Sequence, residues 1–203
     1  MRNMIAILWC NGKTPSNDLI KRVLTEDKEV FGVDGGAEIA LSSGINVKKV
    51  LGDFDSINID EWKGESEYLP DQDISDFGKS IKYLVKEGYT EIEVLGMEGG
   101  SPEHFLGVWA VLAEIQDNVK IILHHEERIT YRIHPDYDGT QIFIENGKEF
   151  SIFALTHCKD VTLTGAKWNM KNEELSLSSR GLHNQGTGKS ISIKADGIVV
   201  LII

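Results

Sequence analysis

The hydrophobic period of this 203-residue chain changes once, near residue 126, and that change limits the folds open to it. Before it, short apolar runs alternate with stretches of helical spacing. Residues 4–10 continue the opening Met1-Arg2-Asn3 as a buried first strand, Asn11-Gly12 breaks it, and from Ser16 onward Leu19, Ile20, Val23 and Leu24 recur on one helical face. Val30-Phe31-Gly32-Val33 precedes a small-residue helix near 36–43, and residues 47–51 form a third strand. Ser75 suits the N-cap of a helix over 77–87, with Ile81, Leu84 and Val85 as its stripe and Gly88 as its stop. After a strand over 92–95, Ser101, Pro102 and Glu103 supply a cap, a first-turn proline and an acid for a helix over 105–115. A strand over 120–123 closes this half.

Beyond residue 126 no helical period continues. Residues 130–133, 141–144, 150–153, 161–164, 175–178 and 190–193 alternate or run as short strands. The residues therefore predict two domains, an α/β domain over 1–125 and an all-β sandwich or barrel over 126–203.

Acidic residues collect where the strands of the first half end. Asp34-Gly35-Gly36, Gly52-Asp53-Phe54-Asp55-Ser56 and Asp71-Gln72-Asp73-Ile74-Ser75-Asp76 each follow an apolar run or open a helix, and in α/β proteins ligands bind at those strand ends. In an extended segment Asp53 and Asp55 would point to one side and share a cation, with Phe54 turned into the core. Asp73 and Asp76 sit at a helix entrance. Any one cluster reads more readily as a cap or a turn; three in one half shift the reading to a cleft where Mg²⁺ bridges phosphates. Gly96-Met97-Glu98-Gly99-Gly100 lies between a strand and a helix and could cradle a phosphate, although a tight turn explains it as well. Gly186-Thr187-Gly188-Lys189-Ser190 mimics the end of a phosphate-binding loop, but His183 stands where the leading glycine belongs, and it reads as a hairpin turn.

Charge and cysteine content exclude some classes. With 32 acidic and 21 basic residues the formal charge is -11, which opposes general binding to nucleic acid or an anionic membrane. Cys10 and Cys158 show no pairing or zinc pattern, the six histidines show no metal spacing, and the opening apolar run is too short to span a bilayer. A cytoplasmic protein is expected.

In chain order, Asp34-Gly35-Gly36-Ala37, Gly52-Asp53-Phe54-Asp55-Ser56, the run 71–77, Gly99-Gly100 ahead of Glu103-His104, Thr164 to Asn169, and Gly181-Leu182-His183-Asn184 resemble the thiamine pyrophosphokinase family. The resemblance covers nearly the whole chain. It implies a Rossmann-like, mainly parallel α/β domain binding nucleotide and metal, a β-sandwich binding thiamine, and a homodimer. It also implies transfer of pyrophosphate from ATP to thiamine with Mg²⁺, giving thiamine diphosphate and AMP. By position it implies Asp34, Asp53, Asp55 and Asp76 as the metal cluster and Asp53, Asp55, Asp73 and Asp76 as catalytic. Asp34, Gly35, Gly36, Gly99, Gly100, Glu103 and His104 would grip the nucleotide, and Gln72, Thr162, Trp168 and Asn184 would line the thiamine site. Three positions depart from the family pattern: Ser101 replaces an Arg, Glu103 an Asp and His183 a Ser. Loss of the Arg removes a bidentate phosphate contact. Two alternatives stay open, a pyrophosphokinase for another alcohol such as a hydroxymethyl pterin and a catalytically silent thiamine-binding sensor.

Overall fold

Ile5–Trp9 is apolar throughout and forms β1, whose last four residues are buried. The computed structural model describes residues 4–137 and 139–203; Met1, Arg2 and Asn3, expected to lead into the first strand, lie outside the described residues. The chain divides into two compact units, Met1–Glu127 and Arg128–Ile203.

In the first unit β1 is followed by α1 (Asn17–Val23), β2 (Glu29–Val33), α2 (Gly36–Ser42), β3 (Lys49–Gly52), β4 (Glu65–Tyr68), α3 (Asp76–Lys86), β5 (Glu91–Leu95), α4 (Pro102–Glu114) and β6 (Lys120–His124). All strand pairs are parallel, in the order β6-β5-β1-β2-β3-β4. The direction of winding reverses between β1 and β5. Chains that leave neighbouring strands to opposite sides open a crevice at the carboxyl ends. Strand β4 escapes a reading of apolar runs because Glu-Ser-Glu-Tyr is a polar edge strand, mostly exposed.

Two of the expected caps form. Ser16 Oγ accepts from Leu19 N at 3.2 Å and Ser75 Oγ from Gly78 N at 3.4 Å, contacts each worth about 1 kcal/mol. Ser101 takes the cap position of α4 in extended conformation, but its hydroxyl makes no capping bond. Helix α3 buries Phe77, Ile81 and Leu84, with Val85 at the margin, and Gly88 ends it at φ 93°.

The second unit comprises β7 (Ile129–Ile133), β8 (Thr140–Ile144), β9 (Glu149–Ala154), β10 (Cys158–Thr164), β11 (Met170–Leu175), a 3₁₀ turn (Ser179–Gly181), β12 (Asn184–Gln185), β13 (Lys189–Ala195) and β14 (Val199–Ile202). Its strands pair antiparallel as β12-β9-β14-β7 and β11-β10-β13-β8. Phe150, Ile152, Val199 and Leu201 from one set meet Val161, Leu163, Ile191 and Ile193 from the other in one buried core, the packing of a sandwich.

Two expectations for this unit change. The strand placed at 175–178 lies at Met170–Leu175, because Ser178 instead opens the 3₁₀ turn with its side chain. The segment 186–190 is no hairpin: β12 pairs with β9, whereas β13 pairs with β8 and β10, so the chain crosses from one sheet to the other. Among the described residues, no helix is long and apolar enough to cross a membrane.

Candidate active site

Asp34 directly follows β2 with φ 44°, a left-handed conformation in which its carboxylate turns back over β3. Asp34 Oδ1 accepts from Phe54 N at 3.0 Å. Gly52 makes room for it, since a Cβ at that position would sit 2.0 Å from the same oxygen. Phe54 is itself left-handed at φ 68°, and its half-buried ring packs against Ala37, Val50 and Ile57. The segment 53–56 is therefore a turn. The extended geometry expected to align Asp53 with Asp55 does not form, because the left-handed residue between them rotates one carboxylate away.

The close group is Asp34, Asp53 and Asp76. Each offers a carboxylate oxygen, and these oxygens lie within 4.8 Å of one another. Asp53 comes from the β3 end and Asp76 from the first turn of α3. Asp53 Oδ2 accepts from Gln72 Nε2 at 2.9 Å and lies 3.5 Å from Lys79 Nζ, while Lys79 Nζ is 2.6 Å from Asp76 Oδ1. Oδ1 of Asp76 is shut off from solvent and takes no well-aligned hydrogen bond. Three hard oxygen donors converging this closely fit Mg²⁺.

Burial and neighbours tune these groups. Asp34 is 4% exposed, and desolvation pushes its carboxyl up to about 6, opposed by the Phe54 N–H and reinforced by the charges of Asp76, Asp53 and Asp55. The Gln72 hydrogen bond holds Asp53 below the usual carboxylate range, against a smaller desolvation effect. Burial lowers the Lys79 pKa, but the contacts with Asp76 and Asp53 outweigh it and leave the ammonium above its ordinary value.

A cleft of about 580 Å³ opens beside the group, lined by Asp34, Asp55, Asp76, Gly99, Gly100, Glu103 and His104 together with Asn11, Gly12, Ser56, Ser75, Phe77 and Val108. Gly35 N donates to Ser56 Oγ at 3.3 Å. Gly36 packs on β1, where a Cβ would lie 2.3 Å from Trp9 O. Gly99 and Gly100 have φ of 82° and 81°, so their backbone shape requires glycine. Asp55 stands on the cleft wall, outside the close group. Asp73 is exposed, stands apart from both, and donates its N–H to Asp71 Oδ1 at 2.9 Å.

In the second unit, Asn184 is buried and spends its amide on the Trp168 segment: Oδ1 accepts from Trp168 N at 3.2 Å and Nδ2 donates to Trp168 O at 2.7 Å. The indole so presented is 54% exposed, with Lys167 Nζ 4.4 Å from its centroid. Thr162 stands on β10, its hydroxyl accepting from Asn172 N at 3.2 Å. Gln72, grouped with these by the family resemblance, stands in the first unit, where its Nε2 donates to Asp53 Oδ2.

Sequence reading missed Lys79, Asn11 and Ser56. Lys79 had a usable signal, three positions after Asp76 on the same face of a predicted helix.

Residues 20–123 match the family model described as thiamin pyrophosphokinase, catalytic domain, and residues 130–198 match the thiamin pyrophosphokinase vitamin B1 binding domain. The chain belongs to the thiamin pyrophosphokinase family. A curated relative, thiamine pyrophosphokinase of Bacillus subtilis (strain 168), is 27% identical over 188 residues, covering 85% of each chain. The solved structure of thiamine pyrophosphokinase from Bacillus subtilis superposes with a TM-score of 0.80 at 25% identity, covering 98% of this chain and 97% of that one. Yeast thiamin pyrophosphokinase shares the fold, with a TM-score of 0.75 at 14% identity over 100% and 86% of the two chains.

Proposed function

We propose that this chain is a thiamine diphosphokinase, transferring a pyrophosphoryl group from ATP to thiamine to give thiamine diphosphate and AMP. The observation that carries this reading is the Asp34, Asp53 and Asp76 group at the mouth of a cleft, in a chain whose two halves match the two family domains. In the reaction the hydroxyethyl oxygen of thiamine forms a bond to the β-phosphorus of ATP. The bond from that phosphorus to the α,β-bridging oxygen breaks, and AMP leaves with the electron pair. Mg²⁺ held by Asp34, Asp53 and Asp76 would neutralise charge on the triphosphate. Asp55, on the cleft wall beside that group, is our choice to accept the hydroxyl proton. The glycine turn at 99–100, with Gly35, Gly36, Glu103 and His104, would grip the nucleotide. Gln72 would orient Asp53 through its hydrogen bond to Oδ2, and Asp73 would stand at the exposed entrance of α3.

We read the first unit as a Rossmann-like nucleotide-binding unit on the strength of its winding reversal, and the second as the thiamine-binding and dimerisation unit. The exposed indole of Trp168, steadied by Asn184, supports stacking on the thiamine pyrimidine; Thr162 would lie at the margin of that site. A cytoplasmic homodimer completes the reading. Exposed Phe105 and Leu106 on α4, at 50% and 69%, leave apolar surface that a second copy would cover.

A pyrophosphokinase for another alcohol and a silent thiamine sensor are not favoured, since both domain matches and the curated relative point to thiamine pyrophosphorylation. Purified protein given ATP, Mg²⁺ and thiamine should form thiamine diphosphate and AMP in equal amounts. Asp53→Asn should lower kcat by on the order of a hundredfold or more with little change in melting temperature. Thiamine-independent AMP release, or none at all, would exclude the assignment.

A further inference from the structure

Lys79 is the cation that sequence reading did not anticipate. It is 6% exposed, unusual for a lysine, and an apolar side chain would occupy a core-facing helix position at lower cost in desolvation. What it meets instead is the acidic group. Its ammonium lies 2.6 Å from Asp76 Oδ1 and 3.5 Å from Asp53 Oδ2, so it touches two of the three carboxylates that converge within 4.8 Å. Three anions so close repel strongly in a partly buried site unless a positive charge stands among them. Gln72 grips the same Asp53 oxygen at 2.9 Å, which leaves Asp53 oriented even when the ammonium shifts.

We propose that Lys79 is a positioning residue that serves as the resident counter-cation of the aspartate group: it holds Asp53 and Asp76 in place before a divalent ion arrives and competes with that ion for them, so that it sets the metal affinity of the site. This rests on the metal-binding reading of the group. Two demands are met by one residue. The metal-free site keeps its shape, and the ion is bound loosely enough to leave with its phosphate ligands.

The test uses the full chain and Mn²⁺ alone, with binding followed by calorimetry or by the Mn²⁺ electron paramagnetic resonance signal. Asp53→Asn should weaken Mn²⁺ binding at least about tenfold. Lys79→Met, which removes the charge and keeps the length, should tighten it by on the order of tenfold, whereas Lys79→Arg should stay within about threefold of the unaltered chain. Without metal, Lys79→Met should melt at a lower temperature, and saturating Mn²⁺ should raise its melting temperature more than that of the unaltered chain.

If Asp53→Asn weakens binding but Lys79→Met leaves it unchanged or weaker, the Lys79 role is overturned and the metal site stands. If Lys79→Arg tightens binding as much as Lys79→Met, shape and not charge is responsible and the proposal also fails. A Lys79→Met chain that stays unfolded at saturating Mn²⁺ overturns it too, because the ion should replace the ammonium. Mn²⁺ binding indifferent to Asp53→Asn would remove both readings.

Discussion

At position 34 the backbone and the side chain pull the same residue into an expensive state. The left-handed φ of 44° is uncommon for a residue with a Cβ, and burial raises its carboxyl to about 6. Because the folded-state value lies above the ordinary 3.8, the folded chain binds the proton more tightly than the unfolded one between those values. Stability from this group is therefore lost as pH rises from about 4 to about 6. Asp34→Asn removes that dependence and keeps an acceptor for Phe54 N. In metal-free urea unfolding, the difference between Asp34→Asn and the unaltered chain should move in favour of the variant by at most about 3 kcal/mol from about pH 4 to about pH 7. A constant difference would mean that Asp34 is not the titrating group. The aspartates were legible because Asp34 and Asp53 follow apolar runs and Asp76 opens a helix. Which of them converge was not, since that depends on the left-handed turn at Phe54, a conformation that Phe gives no reason to expect.

The glycine segment 96–100 is held as an element by its neighbours. Gly12 N donates to Gly96 O at 2.8 Å, and His125 Nδ1 pairs with Glu98 Oε1 at 2.8 Å. A Cβ on Gly12 would lie 2.4 Å from both Glu98 O and Gly96 O, and neither backbone atom has a flexible side chain to yield. Gly12→Ala should therefore destabilise the chain by about 1–3 kcal/mol and raise the KM for ATP. Gly107→Ala on α4, with open space around the added methyl, should be neutral or stabilising by up to about 1 kcal/mol. Denaturation curves on the two variants separate close packing from general glycine effects. Strands with apolar runs were legible at this scale. β4 was not, because an edge strand need bury neither face, and β11 was placed too late because Met170–Leu175 is mostly polar and exposed whereas the alternation at 175–178 runs into the turn that Ser178 opens.

Over the whole molecule the formal charge of -11 acts on both substrates with opposite sign. Thiamine is a cation drawn toward an acidic protein; ATP is an anion that needs its charge masked. Raising salt from about 0.05 M to about 0.5 M shortens the Debye length several-fold and should raise the KM for thiamine. Initial rates at fixed Mg-ATP measure it, and a KM that falls with salt would oppose the expectation. The two-part organisation was visible as the change of period near residue 126, and the chain divides at Glu127 and Arg128. How the units are disposed has no counterpart in periodicity, which reports only local burial.

The aspartate group also has a place in time. Asp34 and Asp53 directly follow neighbouring parallel strands and Asp76 opens the helix after the next one, so no short stretch of chain holds more than one of them. Parallel pairings of this kind form late, after slow loop closure. A divalent ion held by this group would have nothing to gather in the unfolded chain and would meet its ligands only once the sheet is in register. On the proposed metal reading, its stabilisation would fall on the unfolding rate, and refolding should be as fast without the ion as with it.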